Sequence, residues 1–131
     1  MAEMMSVCVD PKRINEAWPH FKHWIKDAIE TVGLIEFERH ERDVLNGKAL
    51  LWLAYDGKTV HAAATTELIN GVCEISACGG EGILNFLPLL ENLEQFARDE
   101  KCKAVRIAGR AGWARLLKNY KVKSTILESA L

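Results

Sequence analysis

The stretch that decides the fold is "ISACGGEGILNFLPLLENLEQFA", which runs from Ile75 to Ala97. It begins as an apolar run typical of a strand and continues as an amphipathic helix. Between the two lie three glycines within four residues, Gly79, Gly80 and Gly82. A glycine corner of this kind serves either a tight turn or a bound anion, because the N–H groups at the start of a helix favour negative charge. Both interpretations are open at this point.

Three β-rich runs end at this corner, and two strong turn signals join them. Asp56-Gly57 separates the first two runs and Asn70-Gly71 separates the second and third. Asp-Gly and Asn-Gly pairs favour tight hairpins, so the sequence predicts an antiparallel three-strand meander. The predicted strands cover Ala49–Asp56, Thr59–Ile69 and Val72–Cys78.

Helical periodicity marks the region before the meander. Asp10 is a suitable N-cap for a helix over Pro11–Val32, and Pro19 predicts a kink or a break near Trp18. Gly33 is expected to end this helix, and a second helix is predicted over Ile35–Leu45. Residues 1–10 are expected to be flexible or poorly ordered.

After the glycines the pattern alternates between helix and strand. A long helix is predicted over Leu84–Glu100, and the short β-branched run Lys103–Gly109 predicts a strand parallel to the last strand of the meander. A short helix over Gly112–Tyr120 and a last strand over Val122–Glu128 complete the order. The fold class is therefore α/β, with a mixed sheet in one domain over residues 1–131.

Composition narrows the class of protein. Of 131 residues, 49% are hydrophobic and 27% are charged, which is typical of a globular domain, and no apolar run is long enough to span a bilayer. The N-terminus lacks the pattern of a secretory signal, so cytoplasmic localisation is expected.

The four cysteines have no zinc-ligand spacing, and no metal is expected. Cys73 and Cys78 lie an odd number of residues apart, which predicts that they face opposite sides of the sheet.

Charge is distributed unevenly along the chain. Residues 1–100 carry 9 Lys and Arg against 17 Asp and Glu, whereas residues 101–131 carry 8 basic residues and only Glu128. The basic C-terminal part would suit phosphate groups of a cofactor or of nucleic acid, or would pack against the acidic part of its own or a neighbouring chain. No nucleic-acid-binding motif is present, and nucleic acid is not the expected partner.

The order of elements, with a glycine loop between the meander and the long helix, resembles the GNAT acyltransferase superfamily. The likeness covers Trp18 to Leu127 and is strongest for short GNAT-like proteins of bacteriophages and prophages. The matching stretches are "LLWLAYDGK…AAATTELI", "LENLEQFARDEKCKAVRIAGRAGW" and "ARLLKNYKV".

The resemblance implies an acyl-CoA site. In the family, acyl-CoA lies where two parallel strands splay apart, its pantetheine chain pairs with a strand edge, and its pyrophosphate is bound by the loop and the helix N-terminus. Carried over to this chain, Ser76 to Cys78 would supply the edge and Gly80 to Leu84 the phosphate loop. The implied cofactor-binding residues are Ala77, Cys78, Gly79, Gly80, Gly82, Ile83 and Leu84.

Two positions in this loop depart from the family pattern. Ala77 stands three residues before Gly80, where the family motif has Arg or Gln. Glu81 adds a negative charge inside the loop that would approach phosphate, which weakens binding unless the carboxylate points outward.

The catalytic residues implied by the resemblance are also incomplete. The family pattern Ala-x-x-Leu-Tyr, which supplies a proton donor, ends here with Lys118, and Tyr120 lies about 200° further around a helix. Tyr120 is the candidate proton donor, and Glu67 is the candidate general base, with Glu74 and His61 as other nearby groups.

Arg110 and Trp113 form a further candidate contact for an anion or substrate. In the alternative interpretation, Trp113 fills the core and the arginine is solvated.

Two functions stay open. One is an N-acyltransferase that uses acetyl-CoA and an amine acceptor. The other is a catalytically inactive GNAT-like protein that binds a phage or host protein, in the virion or in the host cytoplasm.

Overall fold

A five-stranded sheet with helices on both faces forms the protein in a computed structural model, which describes residues 4–108 and 113–131. The strands are β1 (Met5–Cys8), β2 (Leu50–Tyr55), β3 (Val60–Ile69), β4 (Val72–Gly80) and β5 (Ala104–Ile107). The helices are α1 (Ile14–Val32), α2 (Phe37–Leu45), α3 (Phe86–Asp99) and α4 (Trp113–Leu116). Short 3₁₀ turns, Pro11–Arg13 and Ile83–Asn85, precede α1 and α3.

The sheet confirms the predicted meander and the predicted parallel strand. Its order is β1-β2-β3-β4-β5, in which every neighbouring pair is antiparallel except β4 and β5. Asn70 and Gly71 both have positive φ, 52° and 77°, which is the geometry of a two-residue hairpin turn whose twist matches the strands. At the other hairpin, the Asp56 side chain accepts hydrogen bonds from the N–H groups of Lys58 and Thr59.

Two apolar cores lie on the two faces of the sheet. Apolar side chains of α1 and α2 cover one face around Ile25, Val44 and Leu51. Those of α3 cover the other face around Ile75 and Leu93. The mixed α/β fold class predicted from the sequence is therefore confirmed.

A bulge in β4 changes the face of the sheet to which its successive side chains point. Ile75 pairs with Thr66 and Ala77 pairs with Thr65, so Ser76 is an extra residue in the ladder. As a result, Ile75 belongs to the α3 core and Ala77 to the α1 core, although the two are an even number of residues apart. The same extra residue reverses the prediction for the cysteines: Cys78 packs against the core that contains Ile75, which is the face that Cys73 shares.

The structure differs from three of the predictions, each at a segment whose local sequence pattern is weak. Met5–Cys8 form β1 by pairing with β2, although no strand was expected before residue 11. The first helix is not broken at Pro19, because α1 continues through it and is anchored in the core by Trp18 and Ile25. Residues 117–131 contain no strand: residues 121–131 are all exposed, and high β-propensity expresses itself only where side chains pack on a sheet.

Candidate functional site

Beyond the bulge, β4 separates from β5 and opens a cavity. The parallel pairing covers only Val72–Ile75, so Ser76–Gly80 has β3 on one side and a cavity of about 500 Å³ along the other. We call this cavity the cleft. Its other described walls come from α1, α3 and α4, through Trp24, Asp27, Ala28, Val32, Phe86, Trp113 and Leu116.

Two of the glycines are required by close packing around the cleft. A Cβ on Gly79 would lie 2.7 Å from the carbonyl oxygen of Trp24, because α1 packs directly on β4 there. Gly80 has φ of 138°, and a Cβ on it would overlap the carbonyl oxygen of His61. Both positions therefore exclude other residues for steric reasons in the folded chain.

Gly82 is different, because it lies in an open loop. Its φ is 77°, and a Cβ would meet only the Asn85 side-chain nitrogen, at 3.9 Å. Asn85 steadies the loop: its N–H donates to Gly82 and its side-chain amide donates to the carbonyl of Glu81. The loop leads through the 3₁₀ turn Ile83–Asn85 into α3, and the first N–H groups of a helix have no acceptor within it.

The Glu81 carboxylate is paired and lies outside the cleft walls. Its Oε2 is 3.4 Å from Nδ1 of His61, whose Nε2 is 2.6 Å from Oδ2 of Asp56. The hydrogen bond to Asp56, with a smaller contribution from Glu81, raises the pKa of His61. That same bond, together with two backbone N–H donors, holds the pKa of Asp56 well below its usual range. The carboxylate that seemed unfavourable in the sequence is thus directed to an imidazole.

Among the described residues that line the cleft, the ionisable groups are Asp27 and Cys78. Asp27 is an exposed residue of α1, and the sequence pattern did not single it out because it is one of many polar residues on that helix. Cys78 was predicted at this position, on the strand edge.

A second cavity, of about 560 Å³, is lined by α2, β3 and β4. We call it the acidic pocket, because its lining includes Glu36, Asp43, Glu67 and Glu74 against two basic residues, Arg39 and Lys48. The two linings come close along the chain at two places: Ser76 of the cleft is two residues from Glu74 of the acidic pocket, and Val32 of the cleft is two residues from Leu34 of the acidic pocket.

Glu67, the candidate base, therefore lies in the acidic pocket and not in the cleft. It is directly opposite Glu74 in the β3–β4 ladder, and its Oε1 is 3.7 Å from Nζ of Lys48. Lys48 compensates one of these two carboxylates, while Glu74 has Arg106 of β5 as its register neighbour.

The other candidate residues are dispersed. Tyr120 follows α4 and its hydroxyl donates to Glu94 at 2.9 Å, outside the cleft. Burial and, to a lesser extent, Glu94 raise the pKa of Tyr120. Trp113 lines the cleft and packs edge-to-face on Phe86, with ring centroids 5.1 Å apart.

The remaining loop positions contribute less to the described walls. Leu84 is 73% exposed, Ile83 lies in the 3₁₀ turn, and Arg110 falls outside the described residues. Over residues 4–108 and 113–131, no three His, Cys, Asp or Glu side chains are grouped as a metal site. No helix in those ranges has the length and apolarity to cross a membrane.

Comparison with known proteins finds similarity at the level of structure only. No family model matches the chain, and no curated protein matches it. An aminoglycoside acetyltransferase from an uncultured soil metagenomic sample, in complex with sisomicin, superposes with a TM-score of 0.67 at 9% identity over 98% of this chain and 96% of that one.

Two other acetyltransferase structures are similar to a comparable extent. An aminoglycoside N-acetyltransferase in complex with CoA has a TM-score of 0.64 at 10% identity over 99% of this chain and 96% of its own. A predicted acetyltransferase with acetyl-CoA from Clostridium acetobutylicum has a TM-score of 0.62 at 15% identity over 98% and 96%. At such identities the likeness shows the fold, which is that of GNAT acetyltransferases.

Proposed function

We propose that this protein is an acyl-CoA-dependent N-acyltransferase, which moves an acyl group from the CoA thioester to an amine. The observation that carries the proposal is the bulged strand β4. Its segment Ser76–Gly80 lies beyond the ladder with β5, borders the cleft and leads into the glycine loop before α3. A strand that borders a cavity next to an anion-favouring helix start suits a ligand that has both amides and phosphates.

Backbone groups account for most of the proposed cofactor binding. The edge of Ser76, Ala77 and Cys78 would pair with the pantetheine amides. N–H groups of the loop after Glu81, such as those of Gly82, Ile83 and Leu84, would hold the pyrophosphate, because the Glu81 N–H already donates to the His61 carbonyl; Gly79 allows α1 to approach. Because backbone groups perform these tasks, Ala77 in place of Arg or Gln removes one contact rather than the whole site.

The acidic pocket is the proposed entrance for the acceptor amine. Its carboxylates would attract a protonated amine, and because Glu74 lies two residues from Ser76 on β4, an amine held there would lie near the acyl group. Glu67 and Glu74 are the carboxylates at this junction, so one of them would accept the proton that the amine loses. The neighbour bound to sisomicin is consistent with an amine acceptor, although that ligand belongs to that protein.

Orientation is the main catalytic contribution in this proposal. A thioester is already reactive toward an amine, so holding the two in contact supplies much of the rate. A backbone N–H on the edge of β4 would stabilise the oxyanion. The hydrogen bond of Tyr120 to Glu94 favours a structural role for that hydroxyl, and we assign no proton donation to it.

A thermal-shift titration with acetyl-CoA tests the proposal. Ligand bound to the folded state alone stabilises it by about 2.7 kcal/mol at a concentration of 100 Kd, so the melting temperature should rise steadily with acetyl-CoA. Pantetheine and adenosine 3′,5′-bisphosphate, titrated separately, divide the effect between the strand edge and the phosphate loop. An unchanged melting temperature at millimolar acetyl-CoA would reject an acyl-CoA enzyme.

That result would favour the second candidate, a GNAT-fold protein of a phage or prophage that binds a virion or host protein and performs no chemistry. The replacements at Ala77 and Lys118 support it. Its place would be the virion or the host cytoplasm, and the functions of neighbouring genes would test the phage origin.

A further inference from the structure

His61 is the extra residue of a bulge in the ladder between β2 and β3. Its neighbours Val60 and Ala62 pair with Tyr55 and Ala54, which are consecutive residues of β2, so His61 itself has no partner there. Bulges redirect side chains and are over-represented next to active sites. This bulge lies beside the end of β4, because Ala62 is also the β3 member of the last β3–β4 pair.

The bulged residue contacts the glycine loop through its main chain and its side chain. The carbonyl oxygen of His61 accepts a hydrogen bond of 2.7 Å from the N–H of Glu81, and Nδ1 of its imidazole lies 3.4 Å from Oε2 of the same residue. Gly80 and Gly82, on either side of Glu81, line the cleft, whereas Glu81 does not. The carboxylate in the middle of the loop is therefore held outside the cleft, against the start of β3.

Asp56 completes the cluster on the other side of the imidazole. Its Oδ2 lies 2.6 Å from Nε2 of His61, and its Oδ1 accepts the N–H groups of Lys58 and Thr59, so the β2–β3 turn fixes this carboxylate. Asp56 and Glu81 are the charged groups that face the imidazole in the part of the chain that the structure describes, one from the turn and one from the loop. Their hydrogen bonds, that of Asp56 first, raise the pKa of His61.

The number of protons on the imidazole decides whether both carboxylates keep a donor. The charged imidazole has two N–H groups, one for each carboxylate, whereas the neutral ring has only one. Asp56 makes the shorter contact and is fixed by the turn, so it would keep that single N–H. Glu81 would then face an unprotonated nitrogen, and its side chain, which is 66% exposed, would be free to turn toward the cleft.

We propose that His61 in its charged form is a positioning residue for the proposed phosphate loop: it holds the Glu81 carboxylate outside the cleft and compensates its negative charge, so that the loop accepts an anion. The inference rests on the proposed acyl-CoA function and extends it to the control of the same site by pH. Loss of the imidazolium leaves the Glu81 carboxylate uncompensated beside the pyrophosphate, and the two repel each other. His61 touches no reacting atom and acts only through Glu81.

Isothermal titration calorimetry with acetyl-CoA tests the inference on the original chain, on His61→Gln and on the double variant His61→Gln/Glu81→Gln. At pH 6, His61→Gln should raise the Kd for acetyl-CoA about three- to tenfold, because it removes the positive charge and releases Glu81. The double variant should return the Kd to within about twofold of the original value, since the loop then has no carboxylate to compensate. His20→Gln is the matched control: it removes an exposed histidine of α1 and should leave the Kd unchanged.

The same comparison at pH 8.5 separates the charge of His61 from its packing. In the original chain His61 loses its proton as pH rises through its raised pKa, so the ratio of the Kd of His61→Gln to that of the original chain should fall toward one. Ionisation of the ligand cancels in this ratio, because it is the same for both proteins. A raised ratio that is equal at the two pH values, or a double variant that binds as weakly as His61→Gln, would give His61 a structural role alone and overturn the inference.

A measurement without ligand tests the pairing itself. In an NMR titration, Glu81→Gln should lower the pKa of His61 and Asp56→Asn should lower it more; an unchanged value in Glu81→Gln would overturn the inference whether or not acetyl-CoA binds. Equal Kd values for the original chain and His61→Gln at pH 6 would overturn the inference and leave the proposed function standing. Absence of acetyl-CoA binding to the original chain would instead reject the proposed function, and the inference with it.

Discussion

The two halves of β4 show how one strand performs two tasks. The first half, Val72–Ile75, is paired on both sides, with β3 and with β5, and its inward side chains are fully buried. The second half, Ser76–Gly80, lies beyond the ladder with β5, pairs with β3 through Ala77–Gly80, ends in two glycines and forms a wall of the cleft. The boundary between them is a single extra residue, Ser76.

The comparison teaches that the binding edge depends on the buried half for its position. A bulge bends a strand and increases its local twist. The first half of β4 is held in the sheet, so the bulge turns only the second half away from β5. A site on such a strand is more precisely positioned than one on a loop. Changes in the first half should therefore act on stability, whereas changes in the second half should act mainly on binding except where, as at Gly80, the backbone packs closely on β3.

The largest expected effect is that of Ile75→Ala in the first half. Ile75 is fully buried in the α3 core, so we expect a loss of about 2–5 kcal/mol in the free energy of unfolding, and about 0.5–1.5 kcal/mol for the control Ile75→Val. Cys78→Ala, in the second half, should cost less than about 1 kcal/mol. Urea denaturation measures all three. Equal losses for Ile75→Ala and Cys78→Ala would remove the distinction between the halves.

Gly80→Ala should have the next largest effect, because it changes the point where the second half packs on β3. The added methyl group would overlap the His61 carbonyl at a φ that alanine rarely adopts. Gly57→Ala is the matched control, since Gly57 also has positive φ, 98°, but has open space around it. We expect Gly80→Ala to lower the free energy of unfolding by about 1–3 kcal/mol more than Gly57→Ala, as overpacking does. Similar losses in the free energy of unfolding for the two variants would show that the backbone at His61 moves to accommodate the added methyl group at little cost.

A charge in the loop should affect binding rather than stability. Gly82 is open to solvent, so Gly82→Asp and Gly82→Asn both fit and differ only in charge. Asp and Asn both tolerate positive φ better than most residues. If the loop binds pyrophosphate, Gly82→Asp should weaken acetyl-CoA binding about tenfold relative to Gly82→Asn, which is about 1.4 kcal/mol. Isothermal titration calorimetry measures the ratio, and equal affinities would place the phosphates elsewhere.

The distinction between the halves also marks the limit of what the sequence predicts. Turn residues such as Asn70-Gly71, together with the period of the apolar residues, are enough to predict the meander, α3 and the parallel strand β5. The bulge at Ser76 was not predictable, because "ISAC" contains no glycine or proline to mark it and the extra residue shows only in the pairing with β3.

Long-range contacts account for the other differences. The direction of the Glu81 carboxylate depends on His61 and Asp56, which belong to the hairpin between β2 and β3. The acidic pocket likewise brings together α2, β3 and β4, so Glu67 could be proposed as a base without its position beside the cleft being known. Local pattern predicts elements, but the side-chain partners of a site come from packing.

The smallest expected effect is a pH dependence that His61 contributes near the end of the second half of β4. The pKa of His61 is raised in the folded state, chiefly by its hydrogen bond to Asp56, so its contribution to stability is complete below the unfolded pKa of about 6.5 and is lost as pH rises through the higher folded value. The melting temperature of the original chain should therefore exceed that of His61→Gln by more at pH 6 than at pH 8.5. Asp56→Asn keeps an oxygen for the turn N–H groups but removes the charge, so it should abolish most of this difference. Glu81→Gln should abolish less of it, because Glu81 is the weaker partner. If the difference in melting temperature between the original chain and His61→Gln is the same at pH 6 and at pH 8.5, the imidazole does not connect the loop to the β2–β3 hairpin.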